Sequence, residues 1–343
     1  MKKLLNTLFI TTEDIYLSDD HDSVVITQKG KKLSQLPLKD LDGIIMFTYV
    51  GASPALMGKC AENNIGFTML TPSGRFLCRV NSSSHGNVLL RKKQYRISES
   101  EKESLPYVRD MILGKVYNQR WVIGRTLRDY PMRIEQEPLQ HAVEVLNQKM
   151  SLIRSAESID RIRGLEGECA STYFSVLDEL ILNQKEDFFF HERNRRPPLD
   201  NVNALLSFCY MLLANECANA LESVGLDSYV GCMHTDKPGR KSLALDLMEE
   251  LRAPIADRFV LTVINQKQIK GKDLEQNADG AVRISDEARK NIIKLWQEKM
   301  KTEITHPFLQ EKVEWGLVPY VQALLLSRCM RGDMDEYPPF LWK

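Results

Sequence analysis

The chain has 343 residues, 43% hydrophobic and 27% charged, which describes an ordinary globular protein of about two domains. Its 46 Lys/Arg balance its 46 Asp/Glu, so the net charge is zero and a protein coated in positive charge is excluded. No window approaches the 18 apolar residues of a membrane span, the longest run (204–214) being interrupted by Ser207. Seven scattered cysteines without a Cys-x-x-Cys pair exclude the usual zinc spacings and a disulfide framework, and imply a reducing cytoplasm.

In chain order, the first ninety-odd residues are β-rich. Residues 5–10, 23–27, 43–48, 66–70 and 75–80 carry β-branched and aromatic side chains between Asp, Gly, Ser and Pro turn signals. The opening run faintly imitates a signal peptide, but Asn6, Thr7, Glu13 and Asp14 make it a first strand. One helix interrupts the strands: Ser53 is its N-cap, Pro54 fits its first turn, and 55–63 follow. Thr71-Pro-Ser-Gly74 is a turn between two strands. Residues 98–105 are polar and lack apolar periodicity, so they form the expected linker between domains 1–97 and 106–343. Helical periodicity follows over 106–128, 139–155, 159–182, 202–224, 243–263, 286–301 and 309–330. The fold class is α+β: a β-rich, sandwich-like N-terminal domain and a larger all-helical one. The tail 333–342 reads either as packed chain or as a docking segment.

Charge divides near the same place. Residues 1–95 hold 12 Lys/Arg against 8 Asp/Glu, leaving 34 against 38 for the rest. The acidic part still carries basic clusters: Arg109, Lys115, Arg120, Arg125 and Arg128 on one helix, then Arg193, Arg195 and Arg196, Lys237, Arg240 and Lys241, and Lys267, Lys270 and Lys272. Each alone reads as a solvated face; together, beside acidic helices, they suggest a carboxylate site framed by phosphate-binding cations.

On a helical wheel Glu166 falls within the apolar arc of Ile162, Leu165, Cys169 and Tyr173, whereas Glu168 points the other way. An inward carboxylate must be paired, protonated or bound to a metal; a salt bridge to Arg163 and a metal ligand are both open. Further on, His234 precedes a basic turn and a helix whose apolar arc is Leu243, Ala244, Leu247, Met248 and Leu251. Asp246, Glu249 and Glu250 lie opposite, and Asp246 and Glu249, at i and i+3, can present two carboxylates to one point. Taken alone, an acidic first turn that favours the helix dipole is the plainer explanation. If these groups converge, oxygen ligands with one imidazole suit Mg²⁺ or Mn²⁺, and phosphodiester chemistry follows.

At these residues the chain resembles, end to end, the CRISPR-associated spacer-integration endonuclease, the first-numbered Cas protein, in its subtype I-C branch. The resemblance rests on Gly51-Ala-Ser-Pro-Ala-Leu-Met57, Leu70-Thr-Pro-Ser-Gly-Arg-Phe76, Arg163-Gly-Leu-Glu-Gly167, Arg195-Arg-Pro-Pro-Leu-Asp-Asn-Val-Asn-Ala-Leu-Leu-Ser207, Val224-Gly-Leu-Asp-Ser-Tyr-Val-Gly231, His234-Thr-Asp-Lys-Pro-Gly-Arg240 and Asp246-Leu-Met-Glu-Glu-Leu-Arg252. It implies an N-terminal domain that dimerises and a helical catalytic domain with a metal-dependent DNA endonuclease and integrase activity. Glu166, His234 and Glu249 are the implied ligands of Mg²⁺ or Mn²⁺, with Glu249 standing where many relatives have Asp. Asp246 is the implied fourth catalytic residue. The implied reaction joins 3′-hydroxyls of a short DNA duplex to phosphodiesters at a CRISPR repeat. Arg193, Arg196, Lys237, Arg240 and Lys241 are expected phosphate contacts, which set register rather than sequence. The implied partners are double-stranded DNA (prespacer and repeat), a second copy of the chain, and the small second-numbered Cas protein bridging two dimers, with no membrane. Two rivals stand beside this: a metal-dependent nuclease of branched or repair DNA, and a non-catalytic DNA-binding scaffold.

Overall fold

Strand propensity builds the first part of the chain. In the computed structural model, which describes residues 7–41, 43–63, 65–71, 76–80, 88–278 and 280–343, these strands are β1 (Thr7–Ile10), β2 (Ile15–Asp20), β3 (Ser23–Gln28), β4 (Lys31–Pro37), β5 (Gly43–Met46), then α1 (Pro54–Glu62), β6 (Gly66–Leu70) and β7 (Phe76–Val80). Strands β2, β3 and β4 form an antiparallel sheet; β1, β5, β6 and β7 form a second one, with β1–β5 and β5–β6 parallel and β7 antiparallel. A parallel pair needs a crossover, and α1 supplies it between β5 and β6. Strand β5 is buried along its whole length, as its unbroken Ile-Ile-Met run requires. Ile10, Leu17, Val24, Ile44, Leu56 and Phe67 join both sheets and α1 in one core. Ser53 caps α1 as expected, its Oγ accepting the Leu56 N–H at 3.2 Å. β2 and β4 were not among the expected strands. Residues 5, 6 and 72–75, where a strand start and a turn are expected, lie outside the described residues.

The chain separates into two units: Met1–Gly86 with Arg289–Lys301, and Asn87–Ala288 with Thr302–Lys343. This differs from the division at 98–105. The helical stretch Arg289–Lys301, expected in the catalytic domain, belongs with the strands; Gln297 Nε2 donates to the Thr7 carbonyl at 2.8 Å.

The second unit is mainly helical, not all-helical as expected, since two short hairpins interrupt it; its first helices are α2 (Val88–Glu99), α3 (Glu101–Asp129), α4 (Gln136–Arg154), α5 (Ile159–Ser175), α6 (Asn201–Ser223), α7 (Ser242–Glu249) and α8 (Arg258–Asn265). The short hairpin β8 (Leu274–Gln276) and β9 (Val282–Ile284) leads to α9 (Asp286–Met300), most of which lies in the first unit; β10 (Glu303–Thr305), β11 (Lys312–Glu314) and α10 (Val318–Arg331) return to the second. The expected linker is helix on both sides of Ser100. Its Oγ accepts the Glu103 N–H at 3.3 Å, and Glu101 and Glu103 face the positive end of the α3 dipole. Polar residues there are a helix start, not a hinge. Helix α6 does have the length and composition of a membrane span, but two-thirds of its most apolar window (67%) is buried within this unit, as in a core helix.

The expected single helix over 243–263 is divided. Helix α7 ends at Glu249, a π-helical turn runs from Arg252 to Asp257, and α8 follows. The tail is packed: Tyr337, Phe340 and Trp342 are buried, and Asn118 Nδ2 donates to the Phe340 carbonyl while its Oδ1 accepts the Trp342 N–H (2.7 and 2.9 Å).

Candidate metal and nucleic-acid site

Within the second unit, three elements bring the expected acidic and imidazole groups together. Helix α5, capped by Ser158, turns Glu166 inward, half-buried with its side chain 22% exposed. Helix α7 contributes Asp246 and Glu249, and the loop before it contributes His234. Outward placement of Asp246, Glu249 and Glu250 is corrected: all three are buried, because α7 packs against α3, α6 and α10 and leaves no solvated face.

Asp246 organises the loop. Its Oδ2 accepts the Cys232 and Met233 N–H groups (2.7 and 3.0 Å), and its Oδ1 accepts the His234 N–H at 3.0 Å. His234 Nδ1 lies 2.6 Å from the same Oδ1; a carboxylate only accepts, so Nδ1 carries a proton, and in the neutral imidazole Nε2 is the nitrogen left with a lone pair. A carboxylate behind an imidazole in this way is how metal-ligating histidines are oriented. Gly231 is needed for the approach: a Cβ there would stand 2.8 Å from Asp246 Oδ2. Helix α2, which sequence periodicity did not reveal, pins the loop's start. Gln94 Nε2 donates to the Asp227 and Val230 carbonyls (2.8 and 3.0 Å), and Gln94 Oε1 accepts the Asp227 N–H at 2.9 Å. From α5, Arg163 Nη2 donates to the Met233 carbonyl at 2.6 Å while Nη1 meets Asp160 at 2.7 Å, so Arg163 is not the partner of Glu166.

That partner is Lys115 of α3. Its ammonium contacts Glu166 Oε1 and lies 2.7 Å from Glu249 Oε2, so one cation joins two carboxylates. Arg252, three positions after Glu249, places Nη2 2.9 Å from Glu249 Oε1, and His234 Nε2 is 4.0 Å from that oxygen. Burial acts to raise the Glu249 carboxyl, but Arg252 and then Lys115 outweigh it and hold it down at about 2. Glu250 turns away from the site: Tyr337, Gln322 and the Phe340 N–H surround its carboxyl, and burial pushes it up to about 7.

Among the described residues no three acidic, His or Cys side chains already close on a metal's coordination distance. The donor set nevertheless fits a hard divalent cation. Two carboxylates share a buried positive charge and a free imidazole nitrogen faces one of them. Lys115 and Arg252 are the participants that sequence reasoning missed as site residues; Lys115 was legible only as one charge of a basic helix.

The basic candidates separate by exposure. Arg196 and Lys237 face solvent, and Arg240 and Lys241 are half-buried, with Lys241 Nζ 3.2 Å from Asn215 Oδ1. Arg193 does not belong with them. Its Nη1 and Nη2 meet Asn203 Oδ1 (2.5 Å), Ser207 Oγ (3.1 Å) and the Asn194 carbonyl, and the guanidinium lies over the Tyr210 ring, so both terminal nitrogens are engaged inside the unit.

Comparison with known proteins agrees with this architecture. Residues 8–298 match the family model described as CRISPR associated protein Cas1. The CRISPR-associated endonuclease Cas1 1 of Chlorobaculum tepidum is 45% identical over 343 residues, the whole of both chains. Among solved structures, a casposase bound to its integration product superposes with a TM-score of 0.83, at 20% identity over 99% of this chain and 95% of that one. A Cas6-RT-Cas1–Cas2 complex gives 0.82, at 22% identity, covering all of this chain and 36% of that one. The chain belongs to the Cas1 family of CRISPR-associated proteins.

Proposed function

We propose that the protein is a divalent-metal-dependent DNA endonuclease and integrase of CRISPR adaptation, of the subtype I-C kind and cytoplasmic. The observation that carries this is the meeting of Glu166 and Glu249, from two helices, at the Lys115 ammonium, with the loop residue His234 placing Nε2 4.0 Å from Glu249. The name of the 45% identical relative, an endonuclease, and the integration product in the casposase neighbour support the reaction class.

Glu166, Glu249 and His234 Nε2 would hold Mg²⁺ or Mn²⁺. Such a cation supplies Lewis-acid chemistry, offsetting charge that builds at phosphorus and easing deprotonation of the attacking hydroxyl. Asp246 keeps the imidazole oriented with Nδ1 protonated, and Arg252 keeps Glu249 ionised and in place. Arg196, Lys237, Arg240 and Lys241 would serve as phosphate contacts. The partners are duplex DNA, a second copy of this chain and the small second Cas protein, in keeping with the Cas1–Cas2 assembly named among the neighbours.

The test incubates a short duplex with a repeat-bearing plasmid and Mg²⁺ or Mn²⁺. Wild type is expected to give joined product, and His234→Ala at least about a hundredfold less. Cleavage of branched DNA with no joined product would replace the integrase reading with that of a repair nuclease.

A further inference from the structure

Glu166 and Glu249 belong to different helices, yet both turn into a space from which water is largely excluded: their side chains are 22% and 5% exposed. Two carboxylates facing one another there repel unless a cation lies between them. Lys115 fills that place. Its side chain is 6% exposed, and its ammonium contacts Glu166 Oε1 and Glu249 Oε2. Arg252 neutralises the other Glu249 oxygen, so the four side chains carry two positive and two negative charges. Nothing else on α3 dictates this: a helix residue buried only for packing would be apolar, whereas this one brings a charge that matches the pair.

We propose that Lys115 is a positioning residue that stands in for the divalent cation, holding the two carboxylates in place until the metal displaces its ammonium. The inference rests on the metal reading above. Without metal, the bridge keeps α5 and α7 in register and spares the carboxylates their repulsion. With metal, the same bridge is a competitor, so the intrinsic affinity of the carboxylates and His234 for the cation is larger than the affinity observed. Site assembly and metal loading are thereby separated, and the chain can fold around its acidic centre before any metal arrives.

The experiment is calorimetric titration of Mn²⁺ into the full-length wild type, Lys115→Met and Lys115→Arg, with thermal melts of each in the absence of metal. Removing the competitor in Lys115→Met is expected to tighten Mn²⁺ binding at least about tenfold while lowering the metal-free melting temperature. A guanidinium bridges two carboxylates through several donors and is harder to displace, so Lys115→Arg is expected to weaken binding by a similar factor and keep the metal-free stability. A Lys115→Met chain that folds only in Mn²⁺ supports the bridge equally. If Lys115 were merely structural, both variants would weaken Mn²⁺ binding, or neither would change it, and either result overturns the proposal. Absence of Mn²⁺ binding by the wild type would overturn the metal reading itself, and this inference with it.

Discussion

Two buried acids of the helical unit are shifted in opposite directions by their surroundings. Glu249 meets Arg252 and Lys115 and stays ionised, whereas Asp257 accepts from the Tyr210 and Tyr173 hydroxyls (2.5 and 3.0 Å). Burial pushes Asp257 up to about 6 against the pull of those hydrogen bonds and of Arg252 and Arg193. Its folded value lies above its unfolded one, so its contribution to stability is complete below about pH 4 and is lost as pH rises through about 6. Asp257→Asn keeps the shape, and the tyrosine hydroxyls can reverse to meet the amide. The stability of this variant relative to wild type is expected to rise by up to about 3 kcal/mol between pH 4 and 6 and to level off above, in urea unfolding across pH. A difference independent of pH would mean that Asp257 titrates alike in the folded and unfolded chain, which contradicts the raised value. At this scale the sequence reveals periodicity but not partners. The inward position of Glu166 is legible on a wheel, because i, i+3 and i+4 neighbours are local. Its partner Lys115 is 51 positions away on another helix, and the nearer Arg163 is taken by Asp160 and the Met233 carbonyl.

Elements were legible wherever apolar residues recur, and lost where polar ones are buried. Helix α2 turns Leu90, Gln94 and Ile97 inward; the glutamine interrupts the apolar pattern, yet it is the side chain that fastens the His234 loop's start. Pro106 suggested a helix start, while α3 runs through it from Glu101. The π-helical turn had no signal, since periodicity of 3.6 continues through 243–263 in the sequence; Arg252, at its start, meets Glu249 three positions before it by ordinary helical spacing. Element packing makes its own prediction at Gly114. A Cβ there would lie 2.9 Å from Glu250 Cβ and 3.1 Å from Pro339 Cβ, so α3 approaches α7 and the tail only because the position is glycine. Helix propensity alone favours alanine by about 1 kcal/mol, but overpacking costs about 1–3 kcal/mol. Gly114→Ala is therefore expected to lower stability in urea unfolding. A gain near 1 kcal/mol would show that the helices separate freely.

For the whole molecule, zero net charge first counts against a nucleic-acid enzyme, and it turns out to be a balance of local charges. The α+β division was legible from composition; the return of Arg289–Lys301 to the strand unit was not, because an amphipathic helix does not announce which core it joins. The acidic pair at Glu166 and Glu249 is matched by Lys115 and Arg252; the Asp246 carboxylate leaves one net negative charge, which the proposed divalent cation would turn positive, favouring a phosphodiester. The most direct test is diffraction from crystals soaked in Mn²⁺, read by its anomalous signal. The account predicts one strong peak about 2 Å from oxygens of Glu166 and Glu249 and from His234 Nε2, with Lys115 Nζ moved off both carboxylates. A peak elsewhere, or Lys115 still bridging the two glutamates at saturating Mn²⁺, would contradict it.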